Sequence, residues 1–338
     1  MPGLDRRIAG IFLLSSVISG FAVDGRARAD LIGVTGSLST TSSSSALDTS
    51  RFHPAIARRH DRDDSVFINA GADYPSVGRI QFKSISGTGV LIAPNKVLTA
   101  AHVLSSLEPI SDFTFTINNT VYTAASKTLS PTWTNFQASI LKGDDIAILT
   151  LSSDVVGVTP AELYTGRDEI GRVGTSVGFG FSGTGLTGQM GGLGTRRAGD
   201  NMIDAFGSLF SGININSMLM DFDDPLEASS LIGSATPLDR ESLVTQGDSG
   251  GGLFVDFGNG PLLVGITSFL FDVNDNDILS DYSDMSGAIR VSANLDFIRN
   301  AIAVPEPASV VTILVGGLFI ATHRTIRSRR VSRTPRIL

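Results

Sequence analysis

The chain contains no cysteine. No disulfide can brace it, so an exported domain of this chain must rely on its apolar core. Histidine is nearly as scarce, with four in 338 residues. A reaction that needs an imidazole base therefore has few residues to draw on. Basic charge is also in deficit. The formal net charge is −7 and includes an arginine-rich C-terminal end, so the remainder is more acidic still. Nucleic acid needs a basic face and is excluded as a partner on that ground. No apolar run is a clean match to the about 20 residues of a full membrane span. Glycine, by contrast, is abundant at 37 residues, so a glycine-rich string carries weight only when other residues agree with it.

Both ends carry three-part patterns. Arg6 and Arg7 precede an apolar run from Ile8 to Val23, broken by Ser15, Ser16, Ser19 and Gly20, and Ala27-Arg28-Ala29 follows. A positive start, an apolar middle and an A-x-A end predict a secretory signal over residues 1–29, cut by signal peptidase after Ala29. At the other end, Val304-Pro305-Glu306-Pro307 breaks regular structure, Ala308 to Thr322 is apolar, and Arg324, Arg327, Arg329, Arg330, Arg333 and Arg336 form a basic tail. Prolines so placed interrupt helix or strand, and arginines hold their end on the cytoplasmic side of a membrane. Residues 304–338 resemble the PEP-CTERM sorting signal of Gram-negative bacteria. That resemblance implies a transient membrane anchor, processing by an exosortase, and a final place in the envelope, at the surface or in the medium.

Between the signals, residues 30–65 are first rich in Ser and Thr and then dense in charge. They have too little apolar content to fold alone and are expected to be a linker or prosegment. From Val66 the texture changes to short apolar runs between Gly, Asn, Asp and Ser clusters. Examples are Phe113–Ile117, Ile146–Leu151 and Leu262–Ile266. Strands of that length at regular spacing predict an all-β sandwich or barrel. One helix is expected near Ser292–Ala303, with Ser292 as its cap and Leu295, Ile298 and Ile302 on one face. Ser182 to Gly199 lacks periodicity and is expected to be a surface loop. Residues 66–303, about 240 in all, suffice for a buried core or two.

The sharpest chemical signal is Gly247-Asp248-Ser249-Gly250-Gly251. Glycines around a serine expose its hydroxyl and let backbone N–H groups converge on one spot, as a nucleophile with an oxyanion site requires. His53 and His60 lie in the charged stretch and His323 in the basic tail, which leaves His102 as the one histidine of the folded region able to activate Ser249. A third group must hold the imidazole tautomer. Asp145 begins an apolar strand, and Asp144, one residue earlier, points to the opposite face.

His102, Asp145 and Ser249 lie in the blocks Thr99-Ala100-Ala101-His102, Asp145-Ile146-Ala147-Ile148-Leu149 and Gly247–Gly251. In that order the three blocks resemble the trypsin/chymotrypsin family of serine endopeptidases. Ser86–Ile92, Gly178-Phe179-Gly180 and Val264–Phe269 resemble further segments of that family. The resemblance spans residues 66 to 303. It implies two packed antiparallel β-barrels with a short C-terminal helix, a protein or peptide substrate, and no cofactor. It also implies roles: Ser249 as nucleophile, His102 as base, Asp145 as its orienter with Ser268 in support, and the N–H groups of Gly247 and Ser249 as oxyanion hole.

The primary pocket is expected from the same resemblance. Leu243 stands six residues before Ser249, where the family has its pocket floor, with Val244 beside it and Phe269 and Leu270 on the wall. A leucine floor implies small or hydrophobic substrate side chains. Asp248 would pair either with a newly cut N-terminus, for which Val66-Phe67-Ile68-Asn69 is the nearest candidate, or with an internal group. Asp272, Asn274 and Asn276 put oxygen atoms at alternate positions, as calcium loops do. The run lacks an EF-hand's glycine and distal glutamate, so a solvated acidic turn is expected there and at Asp221, Asp223 and Asp224, with no metal. Two functions remain at this stage: an exported serine endopeptidase, or a catalytically silent relative acting as a surface or matrix binding protein.

Overall fold

The structure is a computed structural model that describes residues 56–303 apart from 211, 227–229, 274 and 275. The expected leader and the sorting signal lie outside the described residues, as does Asn274. Among the described residues no helix is long and apolar enough to cross a membrane.

The first half is a closed barrel. β2 (Val77–Phe82), β3 (Ile85–Ala93), β4 (Lys96–Thr99), β5 (Phe113–Ile117), β6 (Thr120–Leu129) and β7 (Ala147–Leu151) close in the order β2-β3-β4-β7-β6-β5. The alternation of Phe113–Ile117 explains why it does so. Phe113, Phe115 and Ile117 are buried while Thr114 and Thr116 face outward, the period-two pattern of a strand with one dry face.

The second half is a seven-stranded antiparallel sheet, not a closed barrel. β8 (Val173–Gly178), β11 (Arg197–Met202), β12 (Ala205–Phe206), β13 (Ser217–Asp221), β15 (Gly252–Asp256), β16 (Pro261–Phe271) and β17 (Met285–Arg290) run in the order β11-β8-β15-β16-β17-β13-β12. A smaller sheet, β10-β9-β1-β14, joins β1 (Ile56–Arg58), β9 (Ser182–Thr184), β10 (Gly188–Gly191) and β14 (Ser242–Leu243). The helices are α1 (Asp64–Ala72), α2 (Ala101–Leu104), α3 (Phe136–Lys142) and α4 (Leu295–Ala303).

Four expectations are corrected. Order begins before residue 66: β1 pairs antiparallel with β14 and parallel with β9, so the last ten residues of the expected linker are folded. Their charges find partners within the segment and in the rest of the fold. Arg59 makes two bonds to Asp61, at 2.6 and 2.7 Å, and the fully buried Arg197 makes two to Asp64, at 2.8 and 2.6 Å. Val66–Asn69 lies inside α1, whose first turn is capped by Asp63 accepting from Ser65 N–H at 2.8 Å. Ser182–Gly199 is not a loop: β9 and β10 pair there and β11 begins. Its glycines remove the side-chain alternation that would have marked the strands. Ser292 does not cap α4. Its hydroxyl donates to Glu169 Oε1 at 3.1 Å, beside the buried Arg290–Glu169 ion pair.

Candidate active site

The barrel supplies two of the expected residues. β4 ends at Thr99, and Ala100 turns the chain so that His102 sits on the short helix α2. Asp145 lies two residues before β7 and is fully buried. One carboxylate oxygen of Asp145 accepts from His102 N–H at 2.9 Å, and the other lies 2.7 Å from His102 Nδ1. Nδ1 therefore carries the proton, and Nε2 is left as the basic nitrogen. Nε2 is buried and has no hydrogen-bond partner among the described residues.

The second sheet supplies the rest. Ser268, in β16, donates its hydroxyl to Asp145 at 2.5 Å, so one carboxylate ties the two halves together. Three donors on it supply what a charge needs when it leaves water. Asp144 is also buried but makes no contact of this kind, and its Oδ1 has no partner among the described residues.

Ser249 lies between β14 and β15, half-buried. The turn around it needs glycine at two points. Gly250 has φ +84°, and a Cβ there would stand 2.0 Å from Thr99 Oγ1; Gly247 has φ +94°, and a Cβ there would stand 2.9 Å from Gly180 Cα. Only glycine adopts such angles freely. The contact of Gly250 with Thr99 and Ala100 brings the serine turn against the segment that carries His102. The N–H groups of Gly247 and Ser249 donate to no group among the described residues. The carbonyls around them are all engaged: Gln246 O accepts from Phe181 N–H at 2.8 Å and Asp248 O from Gly251 N–H at 2.7 Å. Since a peptide unit is planar, a fixed carbonyl fixes the direction of the next N–H.

Asp248 is buried with internal partners. Gly180 N–H donates to Oδ1 at 2.7 Å, and Thr245 N–H and hydroxyl lie 2.8 and 3.0 Å from Oδ2. Burial pushes its carboxyl up to about 6, against these bonds and the charge of Arg197, which hold it down. Of the two expected partners for Asp248, the internal one is present.

The expected pocket residues divide. Leu243 and Val244 are buried, and Leu243 belongs to an apolar cluster with Ala57, Phe222 and Tyr282, against which Leu270 packs. Phe269 is buried over Gly287, where a Cβ would come within 2.0 Å of its ring. The acidic loop uses its oxygen atoms on its own backbone. Asp272 accepts from Asn276 and Asp277 N–H at 3.3 and 3.0 Å, and Asn276 donates to Asp281 at 2.6 Å. Asp221 and Asp223 are buried rather than solvated, and Asp221 caps the turn at Leu231 and Ile232 from inside, at 2.6 and 3.0 Å. No group of three or more acidic or histidine side chains among the described residues is disposed to hold a metal ion.

Two neighbours escaped the sequence reading. Phe136, first residue of α3, sets its ring edge-on to His102 with centroids 4.6 Å apart. Thr88, in β3, touches the serine turn from the barrel side. The Asn135 cap before Phe136, accepting from Ala138 N–H at 2.9 Å, was the one local sign of that helix.

The trypsin family model matches residues 68–205, a span that holds His102 and Asp145 and ends before Ser249. No curated protein matches. Among solved structures, the chain is similar to mouse neuropsin, titled a serine protease expressed in the limbic system of the brain. That alignment has a TM-score of 0.51 and 19% identity, and covers 68% of this chain and 95% of the other. The fold is trypsin-like.

Proposed function

We propose that this chain is an exported serine endopeptidase that works through Ser249, His102 and Asp145. The observation that carries the reading is the buried Asp145 carboxylate. It holds His102 by two bonds and leaves Nε2 without a partner, on a segment against which the serine turn packs through Gly250, and that turn has two uncommitted N–H groups among the described residues. Ser249 Oγ attacks the substrate carbonyl and passes its proton to Nε2. The carbonyl oxygen takes the developing charge and is held by the N–H groups of Gly247 and Ser249. His102 then returns the proton to the leaving amine, and the acyl group stays on Ser249 until water, deprotonated by the same nitrogen, releases it. His102 becomes imidazolium midway, and Asp145 stabilises that charge.

The primary pocket is read as apolar, because its expected floor, Leu243, lies in a cluster with Ala57, Phe222 and Tyr282 against which Leu270 packs. Its substrates are peptides with a small or apolar side chain before the cut. The turn is assembled without a cut N-terminus, since Asp248 already has three donors from Gly180 and Thr245. Export through the leader at residues 1–29, and exosortase handling of residues 304–338, would place the enzyme in the envelope, at the surface or outside the cell. Mapping a fluorophosphonate adduct onto Ser249 tests the reading; a folded chain that takes up none would overturn it.

A further inference from the structure

Thr88 binds the serine turn at two places and the histidine segment at a third. It is fully buried in β3. Its backbone N–H donates to Ser249 O at 2.8 Å. Its hydroxyl donates to Gly247 O at 2.9 Å and accepts from Phe179 N–H at 3.1 Å. Its carbonyl accepts from Thr99 Oγ1 at 2.7 Å, three residues before His102. The hydroxyl thus has its single proton and one of its two lone pairs engaged.

We propose that Thr88 is a positioning residue that sets the oxyanion hole of the serine endopeptidase. The inference rests on the reading of Ser249 given above. Gly247 lacks a Cβ and sits at φ +94°, so its own stereochemistry does little to restrain its two peptide units. The unit before it is held by Phe181, through the Gln246 carbonyl. The unit after it is held at its carbonyl by the Thr88 hydroxyl and at its N–H by Thr245, whose carbonyl accepts from Asp248 N–H at 3.1 Å. The same residue fixes the Ser249 carbonyl through its N–H. One barrel residue therefore holds a carbonyl of the turn on each side of Asp248, while Thr245 and Thr267 hold the N–H groups of the same units. Loss of the hydroxyl would strip the Gly247 carbonyl of its donor, and the shift that follows at this unrestrained glycine would move its N–H off the line that is useful only when charge develops.

Donors of that kind act in the transition state, so the effect belongs in kcat and not in KM. The test uses the full chain with Thr88→Val, which keeps the shape and removes the hydroxyl, and Thr88→Ser, which keeps the hydroxyl. Valine is expected to lower kcat roughly 10- to 100-fold, short of the about 10²–10³ for outright loss of a donor, with KM within about twofold. Serine is expected to keep kcat within about threefold of wild type. An unchanged kcat in Thr88→Val overturns the inference and leaves the peptidase reading standing. Equal losses in the valine and serine variants also overturn it, since they indicate a packing role. A wild-type chain without Ser249-dependent turnover overturns the peptidase reading itself, and this inference with it.

Discussion

At the scale of single residues, Leu243, the proposed pocket floor, would separate this chain from one that binds basic side chains. Leu243 is 1% exposed and surrounded by Ala57, Phe222 and Tyr282. A guanidinium or ammonium brought against that surface would lose water and gain no partner. Digestion of a peptide library by the full chain is expected to show cuts after small or apolar residues, with Arg and Lys disfavoured by at least about tenfold. Cuts chiefly after Arg or Lys would contradict the apolar floor. His102 and Asp145 were legible in the sequence because each sits in a short string whose chemistry leaves few alternatives. Thr88 was not, although its motif was in view. A threonine in a strand is ordinary, and only the fold reveals that its hydroxyl meets Gly247.

At the scale of elements, β1 and α1 were the least legible parts. Their charges suggested solvated chain, yet Arg59 and Asp64 meet partners that keep them folded, Asp64 through an arginine 133 residues away in sequence. β1 lies along β14, with Ala57 opposite Leu243 and Arg58 opposite Ser242. A new N-terminus at Val66 would have to unwind a capped helix. The serine turn is instead held by Gly180, Thr245 and Thr88. The α-amino group, with a pKa of about 8 against about 10.4 for lysine, can be acetylated selectively near pH 6.5. Such treatment of the full chain is expected to leave kcat/KM unchanged. A loss of tenfold or more, with the modification confined to the α-amine by mass spectrometry, would show that an N-terminal ammonium is required.

At the scale of the whole molecule, buried carboxyls set the response to pH. Burial pushes Glu241 up to about 9, Asp284 to about 8, and Asp204 and Asp223 to about 7. Asp221, Asp204 and Asp223 crowd Glu241 and add repulsion to its burial. Each group binds its proton more tightly in the fold than in the unfolded chain, whose carboxyls titrate near about 4. Between about pH 4 and about pH 9 the folded state therefore holds more protons, and stability falls as pH rises through that window. Below it, Asp61, held down by its hydrogen bonds from Arg59, works in the opposite direction and favours the fold less as acid is added. Thermal unfolding of the full chain is expected at a higher midpoint near pH 5 than near pH 8; a midpoint that climbs over that interval would contradict the buried cluster. The closed barrel followed from alternating strands such as Phe113–Ile117, whereas the small sheet of β10, β9, β1 and β14 did not, because glycine-rich strands such as β9 and β10 carry no face to read.

The central claim is that Ser249 is a nucleophile activated by His102. The most direct measurement is mass-spectrometric mapping of a fluorophosphonate adduct on the folded full chain and on its His102→Ala variant. The expected result is an adduct on Ser249 in the wild type, formed at least about 10³-fold more slowly without the imidazole. An adduct at another residue, none at all, or equal rates in both chains would contradict the account.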